Sequence, residues 1–191
     1  MGKERMTAFS DGVIAVIITI MVLDLKAPQS ADWSALGKLL PTFLSYVLSF
    51  VYIAIYWNNH HHLLAVCERV SGAVLWANMH LLFWLSLVPF TTAWLAENHF
   101  ESVPTQLYGV SLLMPGLAYA LLALALIGAH GRESVIAKAL GAGVKEQASL
   151  VLYLFAIAVA PWATMVSLAT YVVVACLWLI PDRRIERTMA R

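Results

Sequence analysis

The chain has 191 residues, of which 61% are hydrophobic and only 12% charged, and its formal net charge is +1. Soluble domains run near 25% charged and about 45–50% apolar residues, so this composition excludes an ordinary soluble domain and reads as an integral membrane protein. The near-neutral charge argues against a nucleic-acid partner. Two cysteines, Cys67 and Cys176, have no CxxC spacing and imply no disulfide framework.

A hydrocarbon core about 30 Å thick takes about 20 helical residues. On that measure the hydropathy predicts an all-α membrane protein with six transmembrane helices in one domain, residues 1–191. Their spans fall at about 7–25, 36–58, 72–96, 105–130, 147–161 and 163–180. Pro28, Gln29, Ser30 and Asp32 make the first turn, and His60–Arg69 reads as a short polar link. Pro115-Gly116 predicts a kink in the fourth helix, and Pro161-Trp162 divides the last long apolar stretch into two short helices. With six spans, Lys3, Arg5, Arg69, Arg132, Lys138, Lys145, Arg183, Arg184, Arg187 and Arg191 share one side. Lys26 and Lys38 take the other. Ten against two predicts a multi-pass protein with both termini in the cytoplasm; the expected location is the plasma membrane. Lys3 and Arg5 precede an apolar run, but Asp11 interrupts it and no small-residue cleavage site follows, so it reads as mature protein.

The first helix departs from a plain anchor. Val13–Leu23 holds one polar side chain, Thr19, yet Arg5, Ser10 and Asp11 stand at its start. Ionisable groups in a membrane helix face protein or water rather than lipid. At about 100° per residue, Gly12, Val16, Thr19 and Leu23 form a narrow stripe. A stripe of small, β-branched and hydroxyl residues suits close helix packing and equally the lining of a pore closed by dewetting. Arg5 and Asp11 are six apart and cannot pair along one face, so each needs a partner from another helix. Asn78, His80 and the run Asn58–His62 are the polar groups on offer.

Arg5…Phe9-Ser10-Asp11-Gly12 resembles the signature of the first helix in the transmembrane protein 175 family of potassium channels. A second block, Tyr56-Trp57-Asn58-Asn59-His60-His61-His62, Leu75-Trp76-Ala77-Asn78 and Pro89-Phe90, is similar to the family's middle helices. The resemblance covers the first half of the chain; the second half matches only in hydropathy. It implies a modestly selective, leak-type potassium channel, assembled as a homotetramer whose first helix lines a central pore. Val16 would then form the apolar constriction, standing where isoleucine or leucine is expected. Thr19 would add a hydroxyl ring where K+ rests transiently, and Leu23 a second apolar ring. Ile20 would be turned partly inward, and Gly12 would lie at the narrow start. It further implies that Arg5, Ser10 and Asp11 are held by Asn78, His60 and His80 in a structural polar network.

Rival readings follow from the same residues. Asp11 with the histidines would serve a proton-coupled secondary transporter, and a polar cluster that only holds helices together would serve a structural membrane protein. Consecutive histidines on a helix point in different directions, so Asn58–His62 is not expected to form a tight metal site. No Gly-rich phosphate loop, nucleophile motif or HExxH is present, so no enzyme and no cofactor are expected. The Thr-Val-Gly-Tyr-Gly filter of carbonyl-lined potassium channels is also missing; Tyr108-Gly109 is its only fragment.

Overall fold

A computed structural model describes residues 2–131, 134 and 143–179. Those residues form eight helices: α1 Lys3–Leu23, α2 Trp33–Lys38, α3 Leu40–Ala65, α4 Gly72–Ser86, α5 Val88–Glu97, α6 Ser102–His130, α7 Val144–Val159 and α8 Thr164–Leu179. Prolines set two of the boundaries. Pro41 and Pro89 each sit at the second position of a helix, and each forbids the preceding helix from running through. The chain therefore breaks at Leu39 between α2 and α3, and at Leu87 between α4 and α5. Pro115, by contrast, is accommodated inside the continuous α6, where Tyr56 donates its hydroxyl to the neighbouring Leu112 carbonyl at 3.3 Å.

Four stretches are long and apolar enough to cross a bilayer: Lys3–Leu23, Leu40–Ala65, Gly72–Glu97 and Ser102–His130. The α4–α5 pair makes up the third. α7 and α8 have 16 residues each, which at 1.5 Å per residue spans about 24 Å. The link expected at His60–Arg69 is shorter than the sequence implies. α3 runs on through the histidines to Ala65, because His60, Leu63 and Leu64 continue its buried face. Arg132, Lys138, Ile180, Arg183, Arg184, Arg187 and Arg191 lie outside the described residues.

The interior has two parts. In the first, Ile14, Ile17 and Met21 of α1 pack with Ile53 of α3, Leu81 and Leu85 of α4 and Leu122 of α6. In the second, tyrosines dominate: Tyr52, Tyr108, Tyr153 and Tyr171 from α3, α6, α7 and α8. Lipid tails are as apolar as leucine, so association here rests on dispersion and interhelical hydrogen bonds rather than on escape from water. The bonds are present. Ser49 Oγ meets Thr92 Oγ1 at 2.7 Å and Tyr108 Oη at 2.9 Å, and Thr91 Oγ1 meets Ser111 Oγ at 2.7 Å. Tyr52 donates to the Tyr171 carbonyl at 2.6 Å, and Tyr171 in turn donates to the Thr105 carbonyl at 3.1 Å.

The Tyr171 ring reaches α6 only because residue 109 is glycine. A Cβ there would collide with the Tyr171 hydroxyl and with Ile157. Gly109→Ala should therefore part α6 from α7 and α8, costing about 1–3 kcal/mol; thermal denaturation in detergent, with Gly128→Ala in open space as control, measures it. A second expectation concerns the α3–α4 linker. Burial pushes the Cys67 thiol up from its ordinary value, which starves it of reactive thiolate. Cys67 should resist a water-soluble maleimide near neutral pH until the protein is denatured, and mass spectrometry of the labelled peptide reads this directly.

Candidate functional site

α1 has two unlike faces. Met6, Ser10, Ile14, Ile17 and Met21 are buried against the rest of the chain. This i, i+4, i+8, i+11, i+15 pattern is one side of a helix, and it packs on α3, α4 and α5. The opposite side carries Gly12, Ala15, Val16, Thr19 and Leu23, all exposed. Val16 is 54% and Leu23 75% exposed, and nothing lies within 4 Å of where a Cβ of Gly12 would stand. Ile20 is exposed on the flank, as are Phe9 and Val22. Thr19 donates its hydroxyl proton back to the Val16 carbonyl at 2.9 Å, which leaves the oxygen lone pairs facing outward.

The buried face is held by a chain of side-chain hydrogen bonds whose directions are fixed. Ser10 Oγ donates to the Met6 carbonyl at 2.8 Å, so it must accept from Asn78 Nδ2, at 2.9 Å. That orientation turns Asn78 Oδ1 toward His60 Nε2 at 2.7 Å, and an amide oxygen can only accept. His60 therefore carries its proton on Nε2. Ser10, Asn78 and His60 are all fully buried, and His60 Nδ1 has no hydrogen-bond partner among the described residues. One residue along, half-buried Asp11 accepts from Trp57 Nε1 at 3.0 Å. Trp57 and His60 are three apart on α3, so one helix face grips Ser10, through Asn78, and Asp11.

Other expected members of this network sit elsewhere. His80 accepts from Trp84 Nε1 at 2.9 Å within α4, and among the described residues it has no hydrogen bond to α1. Its partner is one turn away on its own helix, which satisfies the ring locally. Arg5 is exposed and makes no hydrogen bond or ion pair among the described residues; Lys3 instead donates to the Ala65 carbonyl at 2.8 Å, capping the end of α3. His61 is exposed with its ring 5.9 Å from that of Trp57. No group of three or more metal-binding side chains occurs among the described residues. Trp57 stands in the second sequence block without a predicted role. The signal that finds it is its place three residues before His60, combined with the need of Asp11 for an N–H donor.

This arrangement fixes α1 from behind and leaves a smooth, nearly apolar stripe free on the other side. Residues 5–89 match the family described as the endosomal/lysosomal potassium channel TMEM175. A protein of Chryseobacterium sp. (strain P1-3), named as a potassium channel, is 46% identical over 189 residues, covering 99% of this chain and 98% of that one. The crystal structure of a lysosomal potassium-selective channel TMEM175 homolog from Chamaesiphon minutus superposes with a TM-score of 0.79 at 29% identity. The match covers 93% of this chain and 96% of that one. A shorter match, 35% over 83 residues, links 37% of this chain to 17% of a bovine protein described as the endosomal/lysosomal proton channel TMEM175. With near-full-length similarity to a bacterial member, the chain belongs to the TMEM175 family, a family of ion channels and not an enzyme class.

Proposed function

We propose that the chain is the subunit of a potassium-permeable channel in the plasma membrane, with α1 lining an axis shared by four copies. The observation that carries this reading is the contrast between the faces of α1. One is latched by Ser10, Asn78 and His60, and the other offers Gly12, Val16, Thr19 and Leu23 to whatever lies outside the subunit. In this reading α7 and α8 complete six spans, with both termini in the cytoplasm. Repetition around an axis turns Val16 into an apolar ring, Thr19 into a ring of hydroxyl oxygens and Leu23 into an outer apolar ring, with Ile20 beside them.

An apolar ring blocks an ion by offering nothing in place of its water. Potassium, larger and more weakly hydrated than sodium, sheds water at lower cost. The barrier therefore favours potassium without a carbonyl filter, and the preference is modest. K+ rests near Thr19, whose oxygen accepts it, and the permeant ion is the only small partner. The names of the bacterial relatives point the same way.

A proton-coupled carrier is the second reading, favoured by the unpartnered Nδ1 of His60 close to Asp11. It demands saturable flux coupled to a proton gradient, whereas the channel gives flux that rises with ion concentration.

Purified protein in liposomes separates these outcomes. Val16→Asn should raise cation flux several-fold, and Thr19→Val should bring potassium and sodium fluxes closer together. Unchanged flux and selectivity in both variants would take α1 out of the pore. Ser10→Ala should lower flux and stability together, because it strands the buried Asn78 amide at a cost of about 1–3 kcal/mol. Thermal melting alongside flux checks it, and a variant with wild-type melting and flux would refute the latch.

A further inference from the structure

α6 ends at His130, and Gly131 follows with φ 91°, a backbone setting open to glycine, which turns the chain away. His130 Nδ1 lies 2.9 Å from the Leu126 carbonyl. A carbonyl only accepts, so Nδ1 carries the proton and Nε2 is the bare acceptor of a neutral ring. That nitrogen receives two consecutive backbone N–H groups, from Glu68 at 2.9 Å and from Arg69 at 3.0 Å. Both belong to the linker between α3 and α4. One lone pair thus closes a small concavity of backbone donors of the kind that ordinarily welcomes an anion.

A proton on Nε2 would occupy that lone pair. Both bonds would be lost, and an N–H of a cationic ring would then face two more N–H groups. Proton binding and linker binding are therefore mutually exclusive at this atom. Histidine is the side-chain type that ordinarily changes charge between about pH 5 and pH 8, which sets the interval in which the competition is tested.

The linker joins the two helices that grip α1. It follows α3, which carries His60 and Trp57, and precedes α4, which carries Asn78. Around it, Lys3 holds the Ala65 carbonyl, Cys67 Sγ donates to the Arg69 carbonyl at 3.3 Å, and Ser71 Oγ accepts from the Val74 amide. We propose that His130 is a pH-sensitive clasp: when neutral it fastens the α3–α4 linker to the end of α6, and when protonated it lets go, loosening the latch behind α1 and lowering ion flux. The effect on flux rests on the channel reading above; release of the linker does not.

The titratable and charged groups of the surrounding elements are few. The linker brings Cys67, Glu68 and Arg69, α1 brings Lys3, Glu4 and Arg5, and the last two turns of α3 bring His60, His61 and His62. The first two turns of α4, residues 72–79, carry none, and α6 carries none between Tyr119 and His130. α7, which packs on α6, opens with Lys145 and Glu146. Arg132 and Glu133 follow His130 in the sequence, outside the described residues. His61 and His62, the histidines of α3 outside the latch, are therefore the neighbours that substitution must separate from His130.

The test uses the full-length protein in lipid nanodiscs and in liposomes. The readout is hydrogen exchange resolved at the individual amides of Glu68 and Arg69, corrected for intrinsic chemistry. Between about pH 8 and about pH 5, wild type should lose protection at both by about tenfold or more, with potassium flux falling over the same interval. His130→Gln, whose amide oxygen accepts but does not titrate, should keep both pH-independent. A His61→Gln, His62→Gln double variant should respond as wild type does. Equal pH responses in wild type and His130→Gln, or a response abolished in the His61→Gln, His62→Gln variant, would overturn the clasp. Exchange that depends on pH beside flux that does not would overturn its regulatory role. Absence of flux at every pH would instead count against the channel reading and leave the exchange measurement to decide the clasp.

Discussion

A polar side chain inside a membrane protein must find its partner within the protein, since the alternative is a bare donor or acceptor in hydrocarbon. That constraint decides how α1 is set. Ser10 can accept from Asn78 only because its own proton goes to the Met6 carbonyl, and Asn78 can accept from His60 only because its amide nitrogen is committed to Ser10. Each bond fixes the direction of the next. Apolar packing alone would tolerate a helix turned somewhat about its axis, but this chain of bonds would not. A shift of one residue turns a helix by about 100°, which would carry Val16 and Thr19 off the free face altogether. The rotation of α1, and with it the identity of the exposed stripe, is thus specified from the buried side.

The tyrosine-rich half of the interior does different work. Tyr52, Tyr108 and Tyr171 spend their hydroxyls on Ser49 and on the carbonyls of Tyr171 and Thr105. Those bonds tie α3, α6 and α8 into a frame that does not include α1. Asp11 then meets Trp57 of α3, which this frame holds in place, and Ser10 meets Asn78 of α4, which packs on α6. A latch can only fix a helix if its own backing is rigid, and the close approach of Tyr171 at Gly109 is part of that rigidity.

Much of this was legible in the sequence, and the rest failed for identifiable reasons. Hydropathy located the apolar helices because a bilayer leaves few other solutions, and the polar start of α1 announced partners on other helices. Asn78 and His60 were recognisable as those partners. His80 was not separable from them by type, since only the folded chain shows Trp84 satisfying it one turn away. The histidine run looked like a link because polar residues usually end a span; it stays helical because one of them, His60, has a buried acceptor waiting. The breaks at Leu39 and Leu87 follow from Pro41 and Pro89, but sequence alone does not tell a tolerated first-turn proline from one that divides a helix, as Pro115 within α6 illustrates.

The same economy of bonds bears on the sign of the ion in the proposed pore. A threonine hydroxyl can offer either a proton or lone pairs to its surroundings. Thr19 has given its proton to the Val16 carbonyl within α1, so what remains for the free face is an acceptor oxygen. In the proposed four-fold assembly such oxygens would favour a cation and offer an anion nothing, and the stripe from Gly12 to Leu23 has no charged side chain to hold the ion too tightly. Conduction needs binding weak enough to release, and a neutral hydroxyl between apolar rings meets that need where a carboxylate would not. Asp11, one residue before the stripe, is held by Trp57 of α3. The bond that keeps it there also keeps a strong cation trap off the proposed path.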